Sequence, residues 1–204
     1  MVMELDHLVV GAASLDEGVA WCERVLGVTP APGGSHALMG THNRLLNIGA
    51  APAYPRCYLE IIAIDPAAPG PQAGRARWFD LDQPALQAVL RERGPGLIHW
   101  VSRVASLEAS LAQWRGEGID AGEAVAASRQ TPQGLLSWRI ALRPDGRRLR
   151  REGLPVLIEW GAAARHPADG LPESGVRLLG FEARDGLSAR LATPRGEVNL
   201  ELIG

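Results

Sequence analysis

Apolar and polar residues alternate through Leu5–Gly11, so Leu5, His7 and Val9 share one face of a predicted strand and Asp6, Leu8 and Val10 share the other. The rhythm then lengthens. Ser14 is followed three residues later by Glu17, a capping-box signature, and Val19, Trp21, Cys22, Val25 and Leu26 recur at helical spacing until Gly27 stops the helix. Pro30–Gly40 carries two prolines and three glycines and predicts a loop, with a short strand allowed at Val28–Pro30. Strand patterns return at Thr41–Ile48 and Cys57–Ile64, so this stretch reads β-α-β-β. After a Pro/Gly-rich connection at Asp65–Gly74, Trp78–Arg93 predicts a linker helix with a break at Pro84, ended by Gly94-Pro95-Gly96.

The same programme then restarts. His99-Trp100-Val101-Ser102 through Ser106-Leu107-Glu108 aligns without a gap to His7-Leu8-Val9-Val10 through Ser14-Leu15-Asp16, since 99 and 7 differ by 92, as do 106 and 14. A helix over Leu107–Arg115 ends at Gly116 and Gly118, and strands follow at Leu135–Leu142 and Val156–Trp160. Between those strands lie the Pro144-Asp145-Gly146 turn and an arginine-rich excursion (Arg147, Arg148, Arg150, Arg151), which reads as a solvated hairpin able to recruit an anion. Such a repeat implies two equivalent units packed on each other. Val176–Ala183 and Glu197–Ile203 predict two more strands, at the edge of the sheet and without a catalytic role. The expected organisation is a first module over 4–66, a linker with a helix over 67–96, a second module over 97–161 and an extension over 162–204.

Composition narrows the partners. A formal net charge of -2 gives no footprint for nucleic acid or an anionic membrane, so a small molecule is the expected partner. No basic leader precedes a long apolar stretch, and no run approaches the roughly 18 apolar residues of a membrane helix, so a cytoplasmic location is expected. Cys22 and Cys57 lie in a helix and a strand pattern and read as packed thiols, not a disulfide framework. There is no P-loop, nucleotide-binding glycine motif or G-x-S-x-G elbow.

Candidate chemistry sits at matching positions. Glu60 lies in Tyr58-Leu59-Glu60-Ile61 and Glu159 in Leu157-Ile158-Glu159-Trp160, and a carboxylate in so apolar a strand requires a partner. One reading joins His7, Glu60, His99 and Glu159 around a divalent metal (Zn, Ni, Co, Mn or Fe). The other makes His7 and Glu60 a hydrogen-bonded pair and leaves Glu159 exposed at a strand end. His42 is either a ligand or proton carrier in the cup or a turn-proximal residue bonded to Asn43. His36 and His166 fall in loop patterns and read as solvated, while Trp100, Trp138 and Trp160 read as core aromatics.

With the two modules, these four positions, and the runs Gly40-Thr41-His42-Asn43 and Tyr58-Leu59-Glu60-Ile61-Ile62, the chain resembles the vicinal oxygen chelate superfamily of glyoxalases, bleomycin-resistance proteins and dioxygenases. Within it, the chain is most similar to bacterial glyoxalase-like proteins. The resemblance covers roughly residues 4–160. It implies an α+β fold in which paired βαβββ modules form a cupped mixed sheet with helices outside, followed by a C-terminal strand extension. It also implies metal ligands at His7, Glu60, His99 and Glu159, and lyase or isomerase chemistry on neighbouring oxygens with Glu159, Glu60 or His42 moving the proton. Ring-cleaving dioxygenation on a site of two histidines and one carboxylate, metal-free sequestration of a small ligand, and a metal-free enzyme relying on His42 and Glu60 alone are the alternatives. A single chain closing its own cup and a homodimer both fit.

Overall fold

The computed structural model describes residues 3–71, 74–131, 134–149, 153–162, 165–184 and 186–204. At its centre β1 (Glu4–Gly11) runs antiparallel to β5 (Gly96–Arg103). On one side β1 pairs in parallel with β4 (Tyr58–Ile64), followed by β3 (Thr41–Asn47) and β2 (Ala31–His36). On the other, β5 pairs in parallel with β8 (Val156–Trp160), followed by β7 (Gly134–Leu142) and β6 (Glu123–Thr131). The eight-stranded order, β2-β3-β4-β1-β5-β8-β7-β6, reads the same from both ends. The sheet curves until its edge strands β2 and β6 approach each other, giving the expected cup of paired βαβββ modules.

Helices α1 (Leu15–Val25) and α3 (Leu107–Gly116) cover the outside. Each starts on a serine, Ser14 or Ser106, whose hydroxyl accepts from the backbone N–H three residues on at 3.3 Å. Trp21, Cys22 and Leu26 pack on the outer side chains of β1 and β4, whereas Leu107, Leu111 and Trp114 pack on Ala141 and Leu157. Both cysteines are buried and unbridged, and burial pushes the Cys22 thiol up to about 12 and Cys57 higher still.

Several expectations need correction. The loop expected at Pro30–Gly40 contains β2, an edge strand where Pro32 and two glycines are tolerated because no further ladder is needed on its outer side. Strand β6 completes the second module, although its small residues gave a weak pattern. The linker helix α2 spans only Pro84–Arg93, because Pro84 starts it and holds Gln83 extended. Residues 78–82 turn instead, with positive φ at Phe79 and Asp80, which drives Trp78 and Phe79 into the cup. Arg148 is not solvated: buried, it donates from its backbone and Nε to Asp80 at 3.0 and 2.8 Å and to the Ile98 carbonyl, pinning that turn. Arg150 and Arg151 lie outside the described residues.

The C-terminal extension is not an edge of the large sheet. It forms a separate antiparallel sheet, β9 (Arg177–Glu182), β10 (Ser188–Thr193) and β11 (Gly196–Glu201), in the order β11-β10-β9. Leu178, Leu187, Leu191 and Leu200 join the outer core cluster with Leu8, Val10 and Leu59.

Candidate active site

His7 and Glu60 stand on neighbouring parallel strands, with Glu60 opposite Val9 and His7 opposite Tyr58. Both are buried, the Tyr58 ring stacks on the imidazole at 4.5 Å, and His7 Nε2 lies 3.6 Å from Glu60 Oε2. Behind His7, Asp6 Oδ1 is 2.7 Å from Nδ1. Strict alternation would turn Asp6 away from His7. Instead, β1 holds a bulge there, with Leu5 opposite Ser102 and His7 already opposite Val101, so Asp6 is the extra residue and reaches the same side.

The carboxyl of Asp6 is fully enclosed. Its Oδ2 accepts from Trp160 Nε1 at 2.9 Å and lies 2.9 Å from His166 Nε2. Burial pushes the group up, but hydrogen bonds from His166 and His7 outweigh it and hold Asp6 below the ordinary carboxylate range. His166 accepts at Nδ1 from the Ala168 N–H, so its hydrogen sits on Nε2. An ionised Asp6 likewise draws the His7 hydrogen to Nδ1, leaving Nε2 to face Glu60 across the 3.6 Å gap.

Glu60 is fixed from its other oxygen. Asn43 Nδ2 donates to Oε1 at 2.6 Å and lies 3.3 Å from His36 Nε2, while Asn43 Oδ1 accepts from Gly34 N at 2.9 Å and Arg129 Nη1 at 3.2 Å. Every donor and acceptor of the amide is used, which sets its orientation. His36 Nδ1 meets Thr41 Oγ1 at 3.0 Å, and burial lowers this imidazole to about 4, against the pull of Glu60 and with help from Arg129. The neutral ring therefore donates from Nδ1 and accepts at Nε2. A Cβ on Gly33 would come within 2.1 Å of Asn43 Oδ1, and one on Gly34 within 2.7 Å of Arg129 Nη1, so this network requires the glycine pair.

The gap opens into a cavity of about 40 Å³ walled by Trp78, Phe79, Trp138, Ile140, Ile158 and Trp160. One water needs about 10–15 Å³ on this measure, so the inner space suits the reacting end of a ligand. Leu45, Arg129, Leu136 and Pro167 also line an outer chamber of about 410 Å³ under residues 165–172. That covering segment is tied down by His166 on Asp6 and by Arg56 on Asp169 at 2.9 Å.

The structure brings His7 and Glu60 together but not the rest of the expected constellation. His99 is buried opposite Val9 with its ring against Phe79 at 5.9 Å, outside the cavity lining. Glu159 alternates with the inward Ile158 and Trp160, so it faces outward, accepts from the Leu107 N–H at 2.6 Å and caps α3. His42 alternates with the inward Asn43 and lies on the outer face opposite Ala63. Among the described residues no group of three or more His, Cys, Asp or Glu is arranged to hold a metal. His36 does not supply the second imidazole of a two-histidine, one-carboxylate set, because its Nε2 accepts from the Asn43 amide. The donors present therefore do not fit the metal site that the sequence suggested.

Asp6, His36, Asn43, Arg129 and His166 complete the site instead. Both histidines expected in solvent are buried in it, and Trp138 and Trp160 are cavity walls. The legible signals were a glycine pair beside His36 and an asparagine two residues after the strand start at Thr41.

A family model described as the glyoxalase-like domain matches residues 5–192. No curated protein matches the chain in sequence. Among solved structures, a hypothetical protein from Staphylococcus aureus is 14% identical and superposes with a TM-score of 0.60, covering 99% of this chain and 87% of that one. Methylmalonyl-CoA epimerases from Streptomyces coelicolor and Mycobacterium tuberculosis are each 18% identical, with TM-scores of 0.49 and 0.44. They cover 82% and 78% of this chain, and 100% and 88% of their own. At these identities the likeness is one of fold.

Proposed function

Since the chain belongs to the glyoxalase-like domain family, we propose that it binds a small molecule in the cup and moves a proton on it, as a lyase or isomerase, with His7 and Glu60 as the transferring pair. The observation that carries this reading is the 3.6 Å gap between His7 Nε2 and Glu60 Oε2, two proton-accepting atoms facing each other at a cavity wall. A substrate carbon–hydrogen bond beside a carbonyl, held at that wall, would lose its proton to one of them and regain it from the other. Asp6 stabilises the imidazolium that His7 becomes on taking a proton, and Asn43 holds Glu60 in place. Aromatic walls exclude water, which strengthens both electrostatic effects. Glu159 is engaged by the start of α3 and His99 packs against Phe79, so the proton transfer is assigned to His7 and Glu60 alone. The apolar walls also suit a protein that holds its ligand unchanged, and one experiment separates the two.

A panel of small carbonyl compounds, acids and neutral analogues, is incubated with the protein in D2O, and deuterium entering the carbon beside the carbonyl is followed by NMR. The wild-type protein exchanges at least one compound at a rate that added chelator leaves unchanged. Glu60→Gln and His7→Gln each slow the exchange by roughly 10²–10⁴-fold, with circular dichroism confirming the fold. Exchange that survives both substitutions would overturn the proposal. Ligand binding without exchange of any compound would favour the sequestering protein.

A further inference from the structure

Arg129 stands between the two chambers and is incompletely matched. Its Nη1 donates to Asn43 Oδ1 at 3.2 Å, whereas its buried Nε has no hydrogen-bond partner among the described residues. No described carboxylate lies within ion-pair distance of it, whereas the buried Arg148 is paired with Asp80 at 2.8 Å. A buried guanidinium nitrogen without an acceptor is costly and calls for an explanation. The outer chamber supplies a context: among the described residues its lining holds no aspartate or glutamate, and it adds a second guanidinium from Arg165 and apolar surface from Leu45, Leu135 and Leu171. Glu60, already held by Asn43, is the one acid in the inner lining among the described residues.

From this arrangement we infer that the ligand is a small carboxylate with an apolar body, gripped at its anionic end by the unpartnered edge of Arg129 that carries Nε. The edge carrying Nε is one on which a guanidinium binds a carboxylate through two parallel bonds. The apolar body then fills the outer chamber. Arg129 touches Asn43, and Asn43 touches Glu60, so the anionic group sits one side chain away from the proton gap. The reacting carbon is thus close to the carboxylate. This inference deepens the proton-transfer reading and rests on it for the position of that carbon, while the anion grip itself stands on Arg129.

The test uses the full chain and three probes of one chain length, hexanoate, hexanamide and hexyl phosphate. Binding is read from quenching of the tryptophans that wall the cavity and checked by saturation-transfer NMR. Hexanoate binds wild-type protein at least about tenfold tighter than hexanamide, as expected for a charge-assisted pair. Arg129→Met reduces hexanoate to the level of the amide and leaves the amide unchanged. Arg129→Lys retains the charge without the fork and gives an intermediate preference. It also keeps the question open to measurement if the methionine variant fails to fold. Glu60→Gln retains the preference for the acid. Equal affinity for acid and amide, or an acid preference that survives loss of the guanidinium, would overturn the inference. So would tighter binding of hexyl phosphate than of hexanoate. Acid binding that follows Arg129 while no compound exchanges deuterium sinks the proton-transfer reading alone. Exchange that ignores Arg129 sinks the carboxylate inference alone.

Discussion

Each imidazole around the cavity is fixed by what its second nitrogen meets, and His36 turns this into a pH dependence. Burial holds it near 4 in the folded chain against an ordinary value of 6.5, so the unfolded chain binds the extra proton between those limits. The stability that neutral His36 contributes is complete above pH 6.5 and lost as pH falls to about 4. A shift of this size corresponds to about 3 kcal/mol, or roughly 6–12 °C in melting temperature for a chain of this length. Melting curves taken from pH 7 to pH 4 should show that decline and should flatten in His36→Gln. An unchanged slope would remove His36 from the account. Asp6 adds a second loss at more acid pH, because its lowered carboxyl must be protonated there. At this scale His7 and Glu60 were legible in the sequence, since polar groups inside apolar strands stand out. Asp6 was not, because alternation cannot reveal a bulge, and His36 and His166 were hidden by the loop-like residues beside them.

Among the elements, α3 shows how one carboxylate in a repeated position acquires a different task. Glu159 accepts from Leu107 N at 2.6 Å and sits 4.0 Å from Arg139, at the end of the helix where backbone N–H groups lack partners. Glu159→Ala should therefore cost about 1 kcal/mol, read as a melting temperature lower by roughly 2–4 °C. Affinity for hexanoate and the rate of deuterium exchange should stay unchanged. Loss of either, with the fold intact, would return Glu159 to the site. Element types were read correctly wherever apolar spacing was strong, as in α1 and β4. Strand β6 escaped because Ala124, Ala126 and Ala127 give little contrast between its faces, and β2 because Pro32, Gly33 and Gly34 are individually poor strand formers. Both missed strands are sheet edges, and both carry site residues.

For the whole molecule, the restart of one sequence programme at His99 pointed to the paired cup, and the sheet order bears out that fold. The part played by the C-terminal segment was not legible, because nothing in its local pattern says which surface it covers. It buries Leu178, Leu187, Leu191 and Leu200, each contributing about 1.5–3 kcal/mol, and together they rival the stability of a typical domain. A chain stopped after residue 161 should therefore lose cooperative melting, whereas a cooperative transition in that fragment would show the small sheet to be dispensable. The same segment sends His166 back to Asp6, across nearly the whole chain. A ribosome adding about 5–20 residues per second needs roughly ten to thirty seconds to pass from one partner to the other. Until His166 emerges, Asp6 has no partner from that segment, so the support behind His7 is completed only after both halves of the large sheet have been made.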